Sequence, residues 1–343
     1  MRIRSGTVLV AAFVLVGTTA TTPALAATPV TATTLKTIEL PGTGGHGDVV
    51  VADPAAHAVY VSQTPDNNVV VIDTRTERIK AVIGDLPGSN GIAFDHSYVY
   101  VAEQSGTVAV ITKSTWQVTA TVAAGGAGSD GIYDDTRDHT VDVTNDDSDN
   151  IESFGASAPF TIRHTANLNP ASPTAGPDLG VYVPETDTIY QSDDNDVDVI
   201  DARTGTVERT FTLPLPAGAD AKDMYYDPIR HHLWIGTTAA EIVAVNPCTG
   251  TIVETTKTNS GMDQISADPV RRLLFLGESS SGLMGVVDLD TGKDLAEIPT
   301  EAGTHTLAHL PGTDLVYVYR NQSNVVDVVR VTGHRYASGL LPA

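Results

Sequence analysis

The chain is poor in the residues that several kinds of protein depend on. Its single cysteine, Cys248, excludes an internal disulfide, so packing alone must stabilise the fold. It has only 20 Lys and Arg against 42 Asp and Glu, a formal net charge of −22. A field of that sign repels nucleic acid and anionic membranes and attracts cations. There is no C-x-x-C pair, glycine-rich phosphate loop or haem-attachment sequence. The G-x-S-x-G of many hydrolases is missing too, and "GESSSG" at 277–282 does not fit it. Past residue 26 no apolar run is long enough to span a bilayer. Neither nucleic acid binding nor membrane insertion is therefore expected.

The one long apolar run, Val8–Val16, follows Arg2 and Arg4 and precedes Ala24-Leu25-Ala26. That order of charge, apolar stretch and small residues reads as a secretory signal peptide over 1–26, giving a secreted or periplasmic protein. Losing Arg2 and Arg4 takes the net charge from −22 to −24. Residues 27–34 read as a short linker and 35–343 as one domain.

Within that domain one unit recurs seven times: a turn, an apolar run, an Asp-Pro-like turn and a second apolar run. Examples are "HGDVVVADPAAHAVYVS" from His46, "SNGIAFDHSYVYVA" from Ser89 and "AKDMYYDPIRHHLWIG" from Ala221. A third, alternating stretch follows most copies ("VVVID", "VAVIT", "VDVID", "IVAVN"), and a polar turn leads into a fourth, as in "TVERTFTL". Four short strands per unit of about 40–45 residues predict an all-β, seven-bladed β-propeller with four-stranded blades. The last copy lacks a clear fourth strand, while "LKTIEL" (35–40) stands alone ahead of the first. The N-terminal strand is thus expected to complete the last blade and close the ring, removing exposed edges. A monomer is expected.

"YVYVAEQSGTVAVIT" and "VYVSQTPDNNVVVID" resemble the repeat unit of the YVTN-repeat β-propeller family, and the likeness covers nearly all of 35–331. The resemblance implies the fold; a propeller hosts binding, scaffolding and several unrelated chemistries, so it does not imply one function.

His305 and His309, four apart, would suit zinc on a helix, but the repeat places them on a strand. There they share a face about 13 Å apart, too far for one ion. Their stretch also lacks the Glu of the helical motif. His305 instead occupies the position held in the other units by Asp48, Asn90, Asp130, Asp178, Lys222 and Asp263, five residues ahead of each Asp-Pro-type turn. In a propeller this position begins the innermost strand, so seven side chains are expected to converge at one mouth of the central channel. Two residues earlier stands Gly in five units, but His46 in the first and Asp220 in the fifth. The acidic turns "NDDSDN" (145–150) and "SDDNDVD" (192–198) are expected on the same face.

The plainer alternative for the ring aspartates is capping of their own turns; Lys222 and His305 cannot cap in that way. The functional reading is a ligand site of Asp48, Asn90, Asp130, Asp178, Asp220, Lys222, Asp263 and His305. Its ligand would be a small molecule, a cation or a protein partner. A hard divalent cation such as Ca2+ suits clustered carboxylates, and Asp194, Asp196 and Asp198 superficially resemble a calcium loop without its glycine and closing Glu. The second class of function is an enzyme, a lyase, lactonase or other hydrolase-like activity. There His305 would be general base, His46 or an Asp–metal pair its partner, and Lys222 would offset developing negative charge.

Overall fold

The computed structural model describes residues 28–168 and 176–334. The expected signal peptide, 1–26, lies outside the described residues, as does 335–343. Seven four-stranded antiparallel sheets form the expected propeller. Blades one to six span 50–83, 89–123, 129–167, 177–212, 221–257 and 262–299, each a meander of chain-neighbouring strands. Blade seven takes Thr306–His309, Leu315–Arg320 and Val325–Thr332, and the strand Thr31–Glu39 pairs with the last of these. Thr31 faces Thr332 and Ile38 faces Val326, so the N-terminal strand closes the ring. It begins at Thr31, inside the stretch expected to be linker. No helix among the described residues is long and apolar enough to cross a membrane.

The burial pattern follows from stacking sheets around an axis. The middle strands are covered on both faces by neighbouring blades, so Ala58–Gln63 and Leu273–Glu278 are buried at every position. This is why they read as continuous Val, Ile, Leu and Tyr rather than alternating. The outermost strands face solvent on one side, and Thr206–Thr212 accordingly alternates exposed and half-buried residues. The core is a set of layers between blades. Val59, Val61 and Val70 of blade one meet Tyr317, Tyr319 and Val328 of blade seven in one of them. Each fully buried Val or Leu stabilises by about 1.5–3 kcal/mol, so the fold depends on an unbroken ring of such layers.

The innermost strands share a feature that aims side chains at the axis. In blades two to six their register slips just after the first residue, between Ser89 and Ile92, Ser129 and Ile132, Pro177 and Gly180, Ala221 and Met224, and Met262 and Ile265. Such bulges bend a strand and redirect the residues inside them, and the ring residues Asn90, Asp130, Asp178, Lys222 and Asp263 sit there. In blades two and three the next residue is glycine because the adjacent blade comes close. A Cβ on Gly91 would lie 2.1 Å from the Asp130 carbonyl oxygen, and one on Gly131 would lie 2.9 Å from that of Asp178.

Candidate functional site at the channel mouth

Six of the seven ring residues, Asp48, Asn90, Asp130, Asp178, Lys222 and Asp263, line one cavity of about 530 Å3. Gln104 and the turn residues Asp146 and Asp147 add to its rim, so the 145–150 turn opens on the same face, as expected. The seventh, His305, flanks the cavity with Nε2 3.9 Å from Asp263 Oδ2. His46 stacks on His305 with ring centroids 5.0 Å apart, and its Nε2 is 3.7 Å from Asp48 Oδ1. Asp220 is not among the lining residues. It is half-buried, and its backbone N–H donates to Thr238 Oγ1 at 2.9 Å.

Turn capping is performed by a different set of aspartates, at the far end of the innermost strands. Asp53 accepts from Ala56 N at 2.9 Å, Asp95 from Ser97 and Tyr98 N at 2.6 Å, and Asp268 from Val270 and Arg271 N. At the mouth Asp178 accepts from the adjacent Leu179 N at 2.7 Å, a contact one residue on rather than a turn cap. Asp130 Oδ1 is buried with no hydrogen-bond partner, and Asn90 donates across the blade boundary to the Ser129 carbonyl.

The electrostatics reflect crowded like charges. Burial pushes the Asp130 carboxyl well above the usual carboxylate range, and Asp48 and Asp178 push it further. Burial also lifts Asp178, although the neighbouring Lys222 works against it, and the result is about 6. Burial lowers the Lys222 ammonium, but Asp178 and Asp263 more than offset this and hold it above its ordinary value. Asp48 raises the His46 imidazole; burial opposes that and Asp263 adds to it.

His305 is 7% exposed. Its Nδ1 lies 2.6 Å from the Gly303 carbonyl, which can only accept, so Nδ1 carries a proton. Its Nε2 is buried without a hydrogen-bond partner.

Two buried polar residues beside the ring escaped the sequence reading. Asp223, raised to about 8 by burial first and by Asp178 and Asp263 after, accepts from Ile265 N of the next blade at 2.9 Å. Gln264 ties three blades together, accepting from Val50 N and Leu307 N and donating to the Val50 carbonyl. Both follow a ring residue, at the position held by Gly91 and Gly131 elsewhere. A polar residue in that place was the available signal. In the 192–198 hairpin the side chains of Asp193, Asp196 and Asp198 are buried, and Thr210 Oγ1 donates to Asp198. A three-carboxylate cluster does occur among the described residues, but it lies elsewhere, at Asp135, Asp138 and Asp187.

No family model matches the chain, and no curated protein matches it. The YVTN-repeat resemblance therefore rests on the repeat units themselves. Among solved structures, a chain of the mitotic checkpoint complex is 15% identical at a TM-score of 0.75, covering 94% of this chain and 98% of that one. Kuenenia stuttgartiensis hydrazine synthase is 15% identical at 0.71, covering 87% and 97%. The β-propeller domain of Myceliophteria thermophila Cps50 (Swd1) is 12% identical at 0.73, covering 87% and 100%. At such identities the likeness shows the fold alone, a seven-bladed β-propeller.

Proposed function

We propose that this protein is an exported, non-catalytic propeller that binds an ammonium-bearing organic cation at the mouth of its channel. Export rests on the signal-peptide pattern of residues 1–26. The binding reading is carried by one observation: six carboxylates, of Asp48, Asp130, Asp146, Asp147, Asp178 and Asp263, line a cavity whose lining includes the single lysine Lys222. Carboxylates held this close resist ionising together, and a cation placed among them relieves the repulsion.

Their spacing favours an organic cation over a bare metal ion. A metal needs several donors within a few ångströms, and the described residues that meet that requirement are not those of the mouth. A cavity of about 530 Å3 suits a small molecule. The chemistry is that of charge-assisted N–H···O bonds to carboxylates.

The unpartnered Nε2 of His305 supports a second reading, a general base acting on a molecule held in the cavity. Under it, His305→Asn abolishes turnover and leaves affinity nearly unchanged.

The first reading is tested by calorimetric titration of the full mature chain with spermidine at low salt. Saturable binding is expected, at least tenfold weaker in Asp130→Asn/Asp263→Asn. Equal affinity in that variant, or no binding to the wild type, overturns the proposal.

A further inference from the structure

On the face opposite the mouth, buried carboxylates meet cations where blades abut. Asp227 of blade five receives both terminal nitrogens of Arg272 of blade six. Asp53 of blade one receives Lys113 of blade two, whose ammonium also stands 4.6 Å from the centre of the Phe94 ring. Beside that second pair the blades leave a gap. A cavity of about 910 Å3, larger than that of the mouth, opens between blades one and two, and Asp134 of blade three reaches it.

Two departures of blade two from its sister blades shape this cavity. In its innermost hairpin Phe94 pairs with Val99, while the equivalent pairs are Ala52–Val59 in blade one, Asp134–Val141 in blade three and Tyr226–Leu233 in blade five. The turn of blade two is thus two residues shorter than these, and what remains of it, Asp95 to Tyr98, forms one wall of the cavity.

The second departure is Trp116, in the turn that leads to the outermost strand. Its backbone N–H donates to the Thr112 carbonyl, and its φ is 56°. Gly205, Gly250 and Gly292 make the same bond in the same left-handed conformation in blades four, five and six, and Glu77 does so in blade one. Glycine is unstrained there, whereas a side chain as bulky as indole works against the backbone. Blade two keeps it all the same, and the half-buried ring lines the cavity. Backbone strain of this kind gathers at positions that hold ligands.

The lining is chemically mixed. Phe94 and Tyr98 join Trp116 in giving it aromatic walls, and Asp134, His96 and Ser114 add polar groups whose side chains make no hydrogen bond among the described residues. Neither sign of charge dominates. Lys113 answers Asp53, and Asp95 is engaged by the Ser97 N–H and the Tyr100 hydroxyl. The less committed groups are one carboxylate, Asp134, and one ammonium, Lys80, which rests 5.1 Å from the centre of the Trp116 ring on an exposed side chain. An exposed contact of that kind is weak enough for a ligand to displace.

We propose that this cleft binds a neutral carbohydrate. A pyranose ring offers an apolar C–H face to an aromatic wall and hydroxyls around its edge to acceptors and donors such as Asp134, His96 and Lys80. A cationic ligand would meet Lys80 and Lys113, and an anionic one Asp95 and Asp134, so the cleft selects for neither charge. The site shares no residue with the channel mouth and does not depend on the amine reading.

The test is a saturation-transfer NMR titration of the full mature chain with maltotriose, cellotriose and chitotriose, with choline and adenosine run beside them. At least one trisaccharide should bind saturably and change the tryptophan fluorescence; the second tryptophan, Trp234, is 1% exposed, so the change reports on Trp116. Trp116→Gly, which matches the turns of blades four to six, should melt within a few degrees of wild type and bind at least tenfold more weakly. Asp134→Ala leaves the indole in place and should weaken binding by at least tenfold as well. Asp130→Asn/Asp263→Asn at the channel mouth should bind the sugar as wild type does. No response to any of the three sugars, equal or tighter binding of choline or adenosine, or wild-type affinity in the Trp116 and Asp134 variants overturns the proposal.

Discussion

The Lys222 ammonium of blade five donates to Asp178 Oδ2 of blade four and stands 3.9 Å from Asp263 Oδ1 of blade six. One internal cation is thus shared between the carboxylates of its two flanking blades. A bound organic cation would compete with Lys222 for those same oxygens. In Lys222→Met the competitor is gone, and spermidine affinity at low salt should rise by about tenfold, the effect of roughly 1.4 kcal/mol. Unchanged or weaker binding in this variant would mean that the ligand does not use the Asp178 and Asp263 oxygens that Lys222 holds.

Stability should depend on pH in an unusual direction. Burial first, and neighbouring aspartates after it, hold Asp193 near 7 and Asp223 near 8, while burial holds Asp178 near 6 against the pull of Lys222. Each lies above the ordinary carboxylate value of about 3.9. Between the unfolded and folded values the native state holds more protons than the unfolded one, so stability falls as pH rises through that window. Without added cations, the melting temperature should decline from about pH 5 to about pH 8. Asp193→Asn removes one such group and should raise the melting temperature at the upper end by a few degrees while changing it little at the lower end. A melting temperature that climbs across this range would contradict the charge description.

The Arg272–Asp227 pair tests the packing between blades five and six. Arg272 is 1% exposed and Asp227 is fully buried. Arg272→Met leaves Asp227 as an uncompensated buried charge and should cost about 3–5 kcal/mol, read from denaturant unfolding. A loss under about 1 kcal/mol would show that the cleft is wetter than described.

Ring closure has its own check. Deleting the strand Thr31–Glu39 leaves Val325–Thr332 as an open edge and strips one wall from the layer around Ile38 and Val326. Cooperative thermal unfolding should be lost. A truncated chain that melts like the parent would mean that the ring closes without it.

The ring was legible in the sequence because a repeat converts position into geometry. Five residues ahead of the Asp-Pro turn means the same place in every blade, so Asp48, Asp130 and Lys222 could be set around one axis without any contact being known. The reading failed where side-chain direction decides. Asp220, two residues before Lys222, lies off the cavity although His46, two before Asp48, reaches its flank. Capping is the plainer alternative for the ring aspartates, yet the bulges turn most of those side chains inward and the turn residues Asp53, Asp95 and Asp268 cap instead. The Asp135–Asp187 contact is not legible in the sequence, because a repeat aligns a unit with its copies and carries nothing about the face that the neighbouring blade presents.

The central claim, that the mouth of the channel holds an ammonium-type cation, is tested most directly by soaking crystals of the mature protein with hexaamminecobalt(III). Its ammine groups offer N–H donors to carboxylates without exposing the metal, and its cobalt scatters anomalously. The account predicts one dominant anomalous peak inside the ring of Asp48, Asp130, Asp178 and Asp263. An empty channel, with cobalt scattered over surface carboxylates, would contradict it.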